Sequence, residues 1–160
     1  MFSMWESQDS LARWLGAGAA ELSRVFARIA DADEFGLRIH RRDSLMLERI
    51  DDLDAGLAQL KREAERASPG QRYLLERKIA EQGKSAVRAA SQRLAREAFD
   101  RLRALSRESI PRPLGSEAGR VPDATLVLNG AFLVDRARTG EFRAAVAELA
   151  RAHEQRGLAF

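Results

Sequence analysis

The chain contains no cysteine, and that absence removes several functional classes together: disulfide scaffolds, cysteine-ligated zinc, iron–sulfur clusters and thiol nucleophiles. Histidine is nearly as scarce, with only His40 and His153 to supply imidazole chemistry. Aromatics are 6% of the residues, and only Tyr73 and Phe99 interleave with the arginines of residues 72–107, too few for a base-stacking surface. Lysine is confined to Lys61, Lys78 and Lys84, so arginine dominates the 27 basic residues. These nearly balance 24 acids, and a net charge of +3 gives little long-range attraction to nucleic acid or anionic lipid. No apolar run approaches the roughly 18–20 residues of a bilayer span. The longest, Leu126–Val134, is interrupted by Asn129 and Gly130. Met1–Trp5 is apolar, but Glu6 and Asp9 follow at once without a basic flank or a small-residue cleavage site. No targeting segment is read there, and a cytoplasmic location is expected.

What is present is a chain of 160 residues, 45% hydrophobic and 32% charged, long enough to bury a core and too apolar for disorder. Ser3 with Glu6 fits a capping box at the start of a first helix. Leu11, Trp14, Leu15, Leu22, Val25, Phe26 and Ile29 then recur at spacings of three, four and seven, placing them on one face. That helix should stop near Asp31–Asp33. Residues 34–41 switch to a period of two, with Phe35, Leu37 and Ile39 on one face and Gly36, Arg38 and His40 on the other. This is the pattern of an antiparallel strand with one side on a core.

Residues 44–67 return to helix, with Ile50, Leu53, Leu57, Leu60 and Ala64 in the a/d spacing of a coiled-coil seam. Ser68 and Pro69 read as an N-cap and a first-turn proline. They open a longer helix to about Ser106, with Leu75, Ile79, Ala86, Ala90, Leu94, Ala98, Leu102 and Leu105 along one stripe. A helix of that length outruns a small core, so part of it should pair with the preceding arm as an antiparallel hairpin. The first arm is acidic and the second rich in arginine, which favours the pairing weakly. Prolines 111, 113 and 122 with Gly115 and Gly119 mark residues 110–123 as a loop. Residues 124–134 are a β segment of two possible forms. Asn129-Gly130 suits the tight turn of a hairpin, whereas the lack of alternation suits one strand buried on both faces. Thr139 then reads as the cap of a last helix with Glu141 in its first turn and Phe142, Ala145, Val146 and Leu149 on its buried stripe. Gly157 fits the left-handed position past its end, and residues 158–160 begin another strand.

No constellation nominates an enzyme. His40 and His153 each have an arginine neighbour and no positioned partner, so they read as ordinary surface histidines. Asp51, Asp52 and Asp54 sit inside the seam pattern rather than on an irregular calcium loop and read as a solvated helix face. Gly16-Ala17-Gly18 lacks the strand before it and the Lys-Ser/Thr after it that a phosphate loop needs. The arginines of residues 72–107 spread around their helix instead of lining one stripe, as a solvated face would. Expected catalytic, cofactor-binding and metal-binding residues are therefore none.

The order of these pieces resembles the gas vesicle protein F/L family. Four stretches carry the resemblance. Phe2–Trp14 (FSMWESQDSLARW), leading through its helix to Asp33–His40 (DEFGLRIH), is similar to the family's helix before a "Glu-Trp-Gly-Val-Lys-Val" strand. Ser68–Lys78 (SPGQRYLLERK) is similar to its "Ser-x-Gly-x-x-Tyr-Leu" opening of a long charged helix. Leu126–Phe142 (LVLNGAFLVDRARTGEF) resembles its "Leu-Asn-Ala-Ala-Tyr-Leu-Val-Asp" strand, and Gly157–Phe160 (GLAF) the start of its closing strand. Members often carry alanine where this chain has Gly130, which favours a single strand over a hairpin. Members usually also carry an N-terminal domain and a Gly-Pro-Trp-Pro-Pro-Tyr-like tail, so the resemblance is to the C-terminal domain, clipped at both ends.

The resemblance implies an α+β fold in ferredoxin-like βαββαβ order, with a weak edge strand near residues 105–112 and a long helical hairpin inserted in the first crossover. One domain over residues 1–160 is expected: helix 1–31, strand 34–41, hairpin 44–106, loop 110–123, and strand–helix–strand over 124–160. The function implied is non-enzymatic assistance to gas vesicle assembly, in the cytoplasm and on the vesicle. The partners are the apolar shell subunit, kept from aggregating, and other vesicle accessory proteins. Neither nucleic acid nor a membrane span belongs to that expectation. A coiled-coil adaptor without a vesicle role and an arginine-rich RNA-binding helix are the competing readings. Candidate contact surfaces are the strand face at Arg38 and His40 and the sheet edge beside Leu158–Phe160.

Overall fold

A computed structural model describes residues 6–115 and 124–160. Its elements follow as α1 (Gln8–Ile29), β1 (Ala32–Arg42), α2 (Asp43–Glu48), α3 (Ile50–Leu53), α4 (Ala55–Arg66), α5 (Pro69–Arg103), β2 (Glu108–Pro111), β3 (Ala124–Asp135), a 3₁₀ turn (Arg136–Arg138), α6 (Thr139–Glu154) and β4 (Leu158–Ala159). The four strands form one antiparallel sheet in the order β2-β3-β1-β4. The period of two in β1 does what it predicts. Leu37 and Ile39 are buried and Phe35 packs against the core, while Glu34, Gly36 and Arg38 are exposed.

Asn129 and Gly130 lie inside β3, opposite Arg38 and Leu37, so this segment is one strand and not a hairpin. Pairing on both sides, with β1 and with β2, outweighs the turn preference of the dipeptide. Phe132, two residues on, meets Phe99 and Phe142 in tilted ring contacts with centroids 5.2 Å and 5.5 Å away, joining the sheet to α5 and α6. Register slips by one residue between Ile39 and His40, which leaves Val127 as the extra residue of a bulge.

The hairpin differs from its expected form in the first arm. Residues 44–67 are not one helix but α2, α3 and α4, with breaks at Arg49 and Asp54. Asp54 is the cause of the second break: its carboxylate accepts from the Leu57 amide at 3.0 Å and caps α4. Of the expected seam residues, Ile50, Leu57 and Ala64 are buried and Leu60 packs at the edge of the core. On α5, Ala90, Leu94, Ala98 and Leu102 of the expected stripe are buried, together with Val87, Ser91 and Ala95. Ser68 occupies the N-cap position of α5, but its hydroxyl donates to Gln71 Oε1 at 3.1 Å rather than accepting from an amide. The helix ends at Arg103, three residues early, and Ser106 donates back to the Leu102 carbonyl at 2.7 Å.

Other boundaries are also corrected. The first helix begins at Gln8, capped reciprocally by Ser7 and Ser10, and Ser3 lies outside the described residues. β1 runs two residues earlier and one later than 34–41. Ile110 and Pro111 belong to β2, so the loop expected at 110–123 starts at Arg112, and its residues 116–123 lie outside the described part. Thr139 is the first residue of α6 and not its cap, because the 3₁₀ turn runs straight into the helix and puts Arg138 at the capping position. The Thr139 hydroxyl is buried with no hydrogen-bond partner among the described residues. Gly157 adopts φ +89°, as its place past α6 demands.

Candidate partner-binding surface

The two histidines do not share a site. His40 pairs across the sheet with Ala159, whereas His153 stacks on Phe160 with ring centroids 6.2 Å apart. His153 is thus part-buried, against the expectation of an ordinary surface position, and Phe160 covers it. Burial holds its pKa below the usual histidine value, Arg156 adds to that, and Glu97 opposes it. The three aspartates also part company. Asp54 caps α4, Asp51 pairs with Lys61 at 2.9 Å, and Asp52 stands 4.0 Å from Arg49. Among the described residues no three His, Cys, Asp or Glu side chains are grouped as a metal would require. No described helix is long and apolar enough to cross a membrane. Gly16 and Gly18 sit in the middle of α1 and not at a helix start.

The sheet face at Arg38 and the sheet edge beside β4 are both open among the described residues. Because β1 and β3 alternate in register, Glu34, Gly36 and Arg38 share the sheet face away from α5 and α6 with Asn129, Ala131 and Leu133. β4 covers β1 only at His40 and Arg41, so the described residues leave the rest of that edge without a strand. The surface that sequence reasoning missed lies between them and α1.

The first helix has a clear apolar side, yet none of its residues is buried. Phe26 is 64% exposed and Trp14 51%, with Leu15, Val25 and Ile29 also open. Its C-terminal end is tied down to the sheet. Arg28 forms a two-pronged ion pair with Glu108 of β2, a hydrogen bond that holds the Glu108 carboxyl below the usual carboxylate range. Arg107 donates to the carbonyls of Arg28 at 2.6 Å and Ala30 at 3.1 Å while pairing with Asp135. Between this anchored end and the open sheet face lies a groove of about 250 Å³, floored by Ala131 and Leu133 and walled by Val25, Ile29 and Ile110. Arg28–Glu108 closes one rim and Arg112–Glu34, at 2.5 Å, the other. The apolar stripe of α1 runs into this groove at Val25 and Ile29. Its heptad spacing is the signal in the sequence; the groove joins residues some eighty positions apart and has none.

The groove and the stripe of α1 thus form an apolar face rimmed by ion pairs. The sequence profile of the family described as "Gas vesicle synthesis protein GvpL/GvpF" matches residues 1–160, and the chain belongs to that family. The crystal structure of the gas vesicle protein GvpF from Anabaena sp. PCC7120 is similar to it at 18% identity, with a TM-score of 0.67 over 99% of this chain and 62% of that one. GvpF from Microcystis aeruginosa is similar at 16% identity, with a TM-score of 0.57 over 95% of this chain and 60% of that one. At these identities the two structures show a shared fold. The chain spans about three-fifths of the length of each. No curated protein matches it.

Proposed function

We propose that this chain is a non-catalytic accessory factor of gas vesicle assembly, which covers the apolar shell subunit until it joins the growing wall. The observation that carries the reading is family membership across all 160 residues. The surface supports it in kind. A subunit destined for a gas-facing wall exposes apolar area and strand edges that self-associate, and a transient partner must offer apolar area in return. The stripe of α1 and the groove at its foot offer that area, and the net charge of +3 adds little steering. On this reading residues 1–160 form one domain, a ferredoxin-like βαββαβ sheet whose first crossover is lengthened by a coiled-coil hairpin. It would work in the cytoplasm at the vesicle surface, with the shell subunit and other accessory proteins as partners and no nucleic acid.

The test is co-expression with a gas vesicle shell subunit, followed by capture across a salt series and a parallel nucleic-acid titration. Capture of the subunit that holds or strengthens in sulfate supports apolar contact. Nucleic-acid binding that falls steeply between about 50 and 200 mM salt, without capture of the subunit, would establish the RNA-binding alternative. Capture of a soluble partner with no vesicle role along the outer face of the hairpin, again without the subunit, would establish the adaptor.

A further inference from the structure

We infer that the exposed face of α1 closes on the α1 of a second copy of this chain, as an antiparallel two-helix seam related by a two-fold axis. The second copy would occupy the same face that the shell-subunit reading uses, so the two compete for it, and the inference is tested on the purified chain alone.

The argument begins with spacing. Leu11, Leu15, Gly18, Leu22, Val25 and Ile29 follow one another at four, three, four, three and four residues, the a/d repeat of a coiled coil. It spans nearly all of the 22 residues of α1. Turned antiparallel upon itself, this series is self-complementary. Leu11 meets Ile29 of the other helix, Leu15 meets Val25, and Gly18 meets Leu22, so every layer is apolar and each occurs twice. The middle layer also fits by volume. Gly18 opens a notch where Leu22 of the other copy can seat, beside the small residues Ala17, Ala19 and Ala20.

Two further observations favour this arrangement over others. The C-terminal end of α1 is fixed to the sheet by Arg28–Glu108 and by Arg107. An antiparallel pair places the two folded bodies at opposite ends of a seam about 33 Å long. The same geometry brings Leu11 and Leu15 of the second copy against Ile29 and Val25, where the seam runs into the groove over Ala131 and Leu133. The area is also adequate. Aromatic side chains carry roughly 150–250 Å² each, and Trp14 and Phe26 flank the seam on both helices. With ten aliphatic seam residues they supply the order of 1,000 Å² that a specific interface needs.

One feature of the register works against it, and for that reason identifies it. Glu21 flanks the seam nearest the two-fold axis, so it faces Glu21 of the second copy. In a parallel pair it would face Phe26 instead.

The experiment is sedimentation equilibrium of the full chain over a range of concentrations. The expected species is twice the chain mass of 17.8 kDa. Leu22→Arg should give a monomer that unfolds as the unaltered chain does when diluted below its dimerisation range, because α1 contributes no buried residue to the body. Glu21→Gln should tighten the dimer about two- to fivefold by removing a like-charge pair. Glu21→Arg mixed with the unaltered chain should form the heterodimer in preference to either homodimer. A chain that stays monomeric, or that dimerises regardless of Leu22→Arg, overturns the inference. A dimer with no heterodimer preference at position 21 overturns the antiparallel register.

Discussion

A Cβ placed on Gly157 would stand 2.6 Å from Cγ of Met46 and 3.1 Å from its backbone nitrogen. Two requirements meet at this glycine: φ of +89° and the space taken by a core methionine that is fully buried. Gly157→Ala should therefore destabilise the fold by about 2–4 kcal/mol, combining a left-handed backbone penalty with overpacking. Chemical denaturation measures it. Adding Met46→Ala relieves the clash but opens a cavity, so the double variant should be less destabilised than the two single changes summed. Strict additivity would mean that strain in the backbone alone sets the cost.

Arg107 is the tie between α1 and the sheet. Arg107→Ala removes donors to two carbonyls and an ion pair to Asp135, and should free the junction at residues 28–31. Hydrogen exchange there should rise well before global unfolding, with a global cost near 1 kcal/mol. Arg107→Lys should rescue little, since a lysine cannot fork between two carbonyls and a carboxylate.

His153 gives stability a pH dependence of known sign. Burial lowers its folded-state pKa below the usual value of 6.5, so the unfolded chain binds the proton more readily. The contribution is complete above about pH 6.5 and is lost as pH falls from there through the depressed folded value. Melting temperature should drop over that window in the native chain and drop less in His153→Gln, which keeps the ring position filled without a titrating group. Equal profiles would mean that the ring is solvated in the folded state.

The seam of the hairpin can be tested at one position. Leu57 is only 3% exposed, so Leu57→Ala should cost about 2–3 kcal/mol. Leu57→Lys should cost more, because it also buries a charge. Glu65→Lys, on the exposed side of α4, should be close to neutral. Urea midpoints of the three variants give the ranking.

These positions also show how far the sequence alone could be read. Leu37 and Ile39, or Leu57 and Ala64, announce their burial because period reports which side of an element is apolar. Asp54 does not announce its role, since an acid on a solvated helix and an acid capping a new helix are the same residue in the same spacing. Asn129-Gly130 reads as a turn until strands are known to flank it on both sides, and pairing is a property of distant residues. The candidate surfaces were legible in the same uneven way. The face at Arg38 and the edge beside Leu158 follow from strand order. The groove depends on Arg28 finding Glu108, a relation no local pattern encodes.

The outer part of the hairpin has a consequence of its own. α4 and residues 69–82 of α5 meet mainly each other, and the sheet receives α5 only farther along, through residues such as Leu94, Ala98 and Leu102. Seven residues added to each arm would carry the Ser68 turn outward by about 10 Å and leave every strand register intact. The projecting arm is in effect a ruler marked in heptads. Its length can be reset by inheritance in whole steps, without the fold having to be solved again.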